Sequence, residues 1–216
     1  GMPLEEIIQA VDQGYFVIKI KTGQPGSQEE MLQKDMDRLS EIHEALKNKK
    51  GNSLNQGKIT YTLDSNGRYE KRETLQRLIA HADKIGMLPD ILFIEEPLVE
   101  TNNESVAGLG VRIAADERAH DEKTTLQAID LGYEAIILKG IAKSLSITLK
   151  IAQLAHERNI PCACSDLTVN PLLLEWHKNL ASHLKAFPGI GMGLLETNGD
   201  MNYKNWTTMK NYLPRV

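Results

Sequence analysis

The sequence predicts a parallel α/β fold, a barrel of β-then-α units that begins one strand late. Three observations predict it. Strand-like and helix-like patterns alternate from residue 15 onward, giving seven β-then-α units. A helix-like stretch, "PLEEIIQAVDQG", stands ahead of the first unit with no strand before it. No glycine-rich phosphate loop follows any strand, which disfavours a doubly wound open sheet. Strict alternation calls for a parallel sheet with right-handed crossovers, and eight such units in about 250 residues close into a barrel. The expected fold class is therefore α/β, a (β/α)8-type TIM barrel lacking its first strand, with residues 1–216 forming a single partial barrel domain.

The elements follow in order. "YFVIKIK" (15–21) alternates as a strand, and "SQEEMLQKDMDRLSEIHEALKNKK" is a long helix opened by Ser27 and Glu30 in capping-box spacing. A polar loop, 47–58, leads to the strand "KITYTLD" and the helix "RETLQRLIAHADKIG", which ends near a glycine. "ILFIE" (91–95) precedes a short segment around 102–109, and "VRIAAD" (111–116) precedes the helix "EKTTLQAIDLG". "EAIILK" (134–139), "IPCACS" (160–165) and "GIGMGLLE" (189–196) are the last strands. Between and after them lie "SLSITLKIAQLAHERN", "NPLLLEWHKNLASHLKAF" and a terminal "YKNWTTMKNYL".

Composition narrows the function classes. A chain of 216 residues with 41% hydrophobic and 25% charged content supports one sizeable core. Its net charge of −4 and 5% aromatic content, with no basic stripe, argue against nucleic-acid binding. No apolar run approaches membrane-spanning length and no leader opens the chain. Cys162 and Cys164, one residue apart in an apolar run, suit neither a disulfide framework nor a zinc ribbon, so a reducing cytoplasm is expected.

Three successive strands end on a carboxylate: Asp64, Glu95 and Asp116. Residues two apart share a face of a strand, so Thr60, Thr62 and Asp64 line up, as do Ile91, Phe93 and Glu95, and Arg112, Ala114 and Asp116. The same count aligns Val17, Lys19 and Lys21, and then Ala135, Ile137 and Lys139. The opposite faces, with Phe16, Ile18 and Ile20 or Ile59, Tyr61 and Leu63, are large and apolar and suit packing on outer helices. The polar ends then point into the C-terminal mouth of the barrel, where such folds do their chemistry. Converging carboxylates repel one another, and an all-oxygen set relieved by a hard dication suits Mg²⁺. Lysines near other cations, or partly buried, can serve as bases. Together these groups would abstract a proton α to a metal-bound carboxylate through a metal-stabilised enediolate.

The motifs "KIK" (19–21), "LDSNG" (63–67), "IEEP" (94–97), "ADE" (115–117) and the lysine of "ILKGIAKS" (137–144) resemble the enolase superfamily, most nearly its muconate lactonizing and dipeptide epimerase branch. The resemblance implies Mg²⁺ held by Asp64, Glu95 and Asp116, with Lys21 and Lys139 as acid/base groups on opposite faces of a small carboxylate substrate. It implies that Lys19 tunes Lys21 and touches the substrate carboxylate, and that Glu196 of "LETNG" is the last-strand contact. Racemisation, epimerisation, cycloisomerisation or β-elimination would follow from the common first step.

Departures stand beside the likeness. Ser144 and Leu145 replace a usual glycine pair, Arg118 stands where a serine is usual, and the Asp-x-Asp of dipeptide epimerases is absent. The superfamily's N-terminal capping domain is also absent, and a barrel short of a strand would expose two edges, so a homo-oligomer is expected. A catalytically silent metal-binding or assembly domain is the competing expectation, and a Schiff-base aldolase at Lys139 a third. His120 and Asp166 are candidate substrate contacts, Asp166 equally a helix cap. His43, His81, His156, His177 and His183 are read as outer-shell residues, Glu96 and Glu117 as off the metal, and Cys164 as no nucleophile.

Overall fold

The structure, a computed structural model, describes residues 2–165 and 168–213. These gather into two compact units, one running to Arg118 with Gln127–Glu134 added, the other made of Ala119–Leu126 and the chain from Ala135 on.

The first unit holds α1 (Leu4–Asp12), β1 (Val17–Lys21), α2 (Gln28–Leu46), β2 (Thr60–Asp64), α3 (Arg72–Lys84), β3 (Ile91–Glu95) and β4 (Ile113–Ala115). Its strands pair in parallel and in chain order, β1 with β2, β2 with β3 and β3 with β4. Alternation is visible in β1, where Ile18 and Ile20 are buried between the more open Val17, Lys19 and Lys21. Every residue of β2 and β3 is buried. α2 buries Leu32, Leu39, Ile42 and Leu46, a stripe at helical spacing. The capping box at its start is formed, Ser27 accepting from the Glu30 amide while Glu30 accepts from the Ser27 amide.

α4 (Glu122–Asp130) follows β4 in the chain. The second unit holds β5 (Ala135–Leu138), α5 (Leu145–Glu157), β6 (Cys162–Ser165), α6 (Pro171–Ser182), β7 (Leu195–Glu196), α7 (Gly199–Asn202) and α8 (Trp206–Lys210). β5 pairs in parallel with β6, and β6 with β7. Ser144 and Asn170 cap α5 and α6 through their side chains, and Pro171 occupies the first turn of α6.

Among the described residues seven strands are therefore present in the expected order, and the chain is irregular after β3 and around β7. The short segment 102–109 after β3 forms turns. Asn102 Oδ1 takes the Glu104 amide at 2.7 Å, an Asx turn that competes with helical pairing, and Gly108 turns through a φ of +73°. The last strand spans two residues instead of the whole of "GIGMGLLE". Gly189 and Gly191 have φ of +92° and +75°, and the chain closes a loop in which the Phe187 amide meets the Met192 carbonyl at 2.8 Å. Extended pairing cannot pass through such a turn. Within the terminal stretch 203–213 the helix is short, α8 alone, and another short helix, α7, precedes the stretch. Among the described residues no helix is long and apolar enough to cross a membrane.

Candidate metal and acid/base site

In the first unit the strand register sets the site. Lys21 is the partner of Asp64, and Asp64 of Glu95, so the C-terminal ends of β1, β2 and β3 lie level. Glu95 is in turn the partner of Ala114, two residues before Asp116 and on the same face by the two-residue period. Asp64, Glu95 and Asp116 are buried to 1%, 2% and 1% exposure, an arrangement carboxylates adopt only when their charge is answered.

Lys19 provides much of that answer. Its Nζ lies 2.8 Å from Asp64 Oδ2 and 2.8 Å from Glu95 Oε2. Lys21 Nζ also donates to Asp64 Oδ2, and to Asn66 Oδ1 at 2.8 Å. The two lysines differ in access: the Lys19 side chain is 16% exposed and that of Lys21 is 51% exposed. Burial works to raise the Asp64 carboxyl, but the charges and hydrogen bonds of Lys19 and Lys21 outweigh it and hold the group below its ordinary value.

The turn after β2 aims these groups. Asp64 Oδ1 takes the Asn66 amide at 3.0 Å, and Asn66 has a φ of +46°, a conformation that asparagine tolerates better than most residues. Asn66 then donates from Nδ2 to Glu117 Oε1 at 3.2 Å, so one turn residue links Lys21 to the segment after β4. Arguing from strand ends misses Asn66. The "NG" pair in "LDSNG" is the signal that could have found it. The loop after β1 is fixed from behind by Asp35 of α2, whose carboxylate accepts from the Gly23 and Gln24 amides and from the Tyr69 hydroxyl. A Cβ at Gly23 would stand 2.8 Å from the Ser65 carbonyl, so only glycine lets these two loops approach.

The donor chemistry fits Mg²⁺: three buried carboxylates, no sulfur or imidazole among them, with two already drawn onto one positive charge. As the side chains stand, that charge is the Lys19 ammonium. Among the described residues no group of three or more His, Cys, Asp or Glu side chains is arranged to hold a metal ion. Asp64 and Glu95 are the pair brought together on Lys19, while Asp116 is reached through the backbone next to Glu95, its amide held by Glu96 Oε2 at 2.8 Å.

The remaining candidates lie in the second unit or elsewhere. Lys139 follows β5 directly, half-buried, and its carbonyl accepts from Lys143 at 3.0 Å and Thr148 Oγ1 at 3.4 Å. Glu196 in β7 accepts from Ser165 Oγ at 3.0 Å, its register partner. His120 is exposed, and its amide bonds Thr124 Oγ1 at 2.9 Å in the turn that opens α4. Asp166 lies outside the described residues. His43 and His177 are buried, His81 meets Ser40 Oγ at 2.8 Å, and His156 and His183 are exposed on α5 and at the end of α6.

The family model described as enolase C-terminal domain-like matches residues 4–197. The chain belongs to this family. No curated protein gives a significant match. Among solved structures, the L-Ala-D/L-Glu epimerase from Bacillus subtilis is 17% identical with a TM-score of 0.76, covering 94% of this chain and 52% of its own. A dipeptide epimerase from Methylococcus capsulatus, complexed with Mg ion, is 21% identical with a TM-score of 0.69, covering 93% and 53%. A mandelate racemase/muconate lactonizing protein from Herpetosiphon aurantiacus is 19% identical with a TM-score of 0.73, covering 92% and 51%. Likeness at these identities shows the fold. The enolase C-terminal domain-like chain is thus an α/β protein of the parallel-barrel class, with seven strands and a helix ahead of the first among the described residues. It spans about half the length of the solved structures it matches.

Proposed function

We propose that this enolase C-terminal domain-like chain carries the metal-holding and proton-abstracting groups of an isomerase or lyase acting on carboxylate substrates. Racemisation, epimerisation, cycloisomerisation and elimination share the same first step, removal of a proton α to the carboxylate. The observation that supports this reading is the Lys19 bridge between Asp64 and Glu95, with Lys21 on the same Asp64 oxygen. Acids and bases this closely packed at level strand ends make a candidate reactive site with a stated physical basis.

Asp64, Glu95 and Asp116 are the residues that would hold Mg²⁺, which supplies a Lewis acid for the substrate carboxylate. Lys21 is the proton acceptor: its side chain is half exposed, and Asn66 Oδ1 orients its Nζ. Lys19, more enclosed, offsets the carboxylate charge and adds positive potential for an anionic substrate. Lys139 is proposed as a second acid/base group, tested by its own variant.

Incubation with Mg²⁺ and a panel of carboxylic acids in D₂O tests the reading by mass spectrometry. Exchange of an α-proton is expected, abolished by Lys21→Ala for one stereoisomer and by Lys139→Ala for the other. Metal binding without exchange of any acid would point instead to a catalytically silent metal-binding domain. Borohydride trapping at Lys139 without a metal requirement would point to Schiff-base chemistry.

A further inference from the structure

Glu96 has a φ of +36°, a left-handed backbone that residues with side chains seldom adopt, and it is 2% exposed. Such strain persists where the surroundings over-determine it, and it clusters at functional sites. Its carboxylate is fully engaged: Oε2 accepts from the Asp116 amide at 2.8 Å and the Arg118 amide at 3.3 Å, and Oε1 accepts from Arg118 Nε at 2.8 Å. Its backbone joins both neighbours, donating to the Ala114 carbonyl at 2.9 Å and accepting from Gly67 at 2.6 Å.

Arg118 is equally committed. Its side chain is 8% exposed, and its Nη atoms donate to the carbonyls of Leu98, Val99 and Asn102 at 3.4, 3.3 and 3.5 Å. Its guanidinium carbon sits 4.9 Å from the centre of the Tyr133 ring. A buried ion pair is weak evidence for stability alone, because removing two charges from water offsets most of their attraction. What this pair does uniquely is geometric. Glu96 is bonded to Glu95 through the chain and to the Asp116 amide through its side chain.

We infer that the Glu96–Arg118 pair is a positioning device that sets Asp116 against Glu95 for joint binding of a divalent cation. Glu96 and Arg118 act through the two carboxylates and touch neither the ion nor the substrate. The inference rests on the function proposed above. It goes beyond it by assigning control of the site to residues outside the ligand set.

The test uses Mn²⁺ as the probe, with free Mn²⁺ read by electron paramagnetic resonance on the folded protein, beside a thermal melt of each variant. Glu96→Gln and Arg118→Lys should weaken Mn²⁺ binding by about 10- to 100-fold, the range found when groups behind metal ligands are changed. Lysine keeps the charge of Arg118 but cannot reproduce its fork of donors. The double variant Glu96→Gln/Arg118→Met, with the charges gone, should recover stability but not affinity. It also supplies the answer if Arg118→Lys fails to fold. Variants that melt lower yet bind Mn²⁺ within twofold of the parent would overturn the inference and leave the proposed function standing. A parent protein that binds no Mn²⁺ would overturn both.

Discussion

Lys19 Nζ stands 2.8 Å from Asp64 Oδ2 and 2.8 Å from Glu95 Oε2, joining the ends of two neighbouring strands through one ammonium group. Removing that charge leaves the buried Glu95 carboxylate facing Asp64 without the ammonium between them, Lys21 remaining on Asp64 alone. Lys19→Met should therefore destabilise the protein by about 3 kcal/mol in EDTA, the scale for stripping one partner from a buried pair. Urea unfolding measures this. Under the proposed function, added Mg²⁺ restores part of the loss by binding the folded form. A variant as stable as its parent in EDTA would show that the bridge contributes nothing.

Asp64 gives a pH dependence of known sign. Its folded-state value is held below the ordinary 3.8 because Lys19 and Lys21 together outweigh the effect of burial. A depressed acid contributes stability above its unfolded value and loses it as pH falls through the folded one. The stability advantage of the parent over Asp64→Asn, measured by thermal melts in EDTA, should be full near neutrality and fade below pH 3.8. An advantage unchanged by acid would refute the assignment.

Asp35 carries a structural prediction. Burial pushes its carboxyl above the usual range, against the hydrogen bonds from Tyr69, Gly23 and Gln24. Asp35→Ala leaves the buried Tyr69 hydroxyl and the Gly23 amide without this acceptor, at a cost of about 3 kcal/mol on the scale for unsatisfied buried donors. Tyr69→Phe removes one donor together with its need for a partner, so its cost should be markedly smaller. Denaturant titrations of the two variants decide the order.

Cys162 and Cys164 should be silent towards thiol reagents in the native state. Burial pushes both thiols up to about 12, and the reactive form is the thiolate. Labelling with a chromogenic disulfide at pH 8 should proceed only after urea is added. Rapid labelling of the folded protein would show that β6 is not packed as described.

How legible the fold was can be judged element by element. The Ser27–Glu30 capping box and the apolar stripe of α2 are local patterns, and both appear where the spacing puts them. The level ends of β1, β2 and β3 follow from period-two alternation, and Lys21, Asp64 and Glu95 are register partners in sequence order. The approach to β7 is shorter than its pattern because Gly189 and Gly191 act through turn conformations that hydrophobic patterning does not register. The role of Asn66 is signalled only by the "NG" pair, and those of Glu96 and Arg118 are not legible at all.

The sequence by itself determined the order of strands and helices as far as β6 and which face of each of those strands is polar, because those periods are written within a few neighbouring residues. It therefore placed Lys21, Asp64, Glu95 and Asp116 at strand ends, with Lys19 two residues back on the same face as Lys21. Only the tertiary structure decided that Lys19, rather than Lys21, spans Asp64 and Glu95, and that Glu96 and Arg118 hold Asp116 from behind. These contacts join residues from 20 to 76 positions apart. Whether such charges meet depends on strand register, loop closure and exclusion of water, which the packed chain sets as a whole.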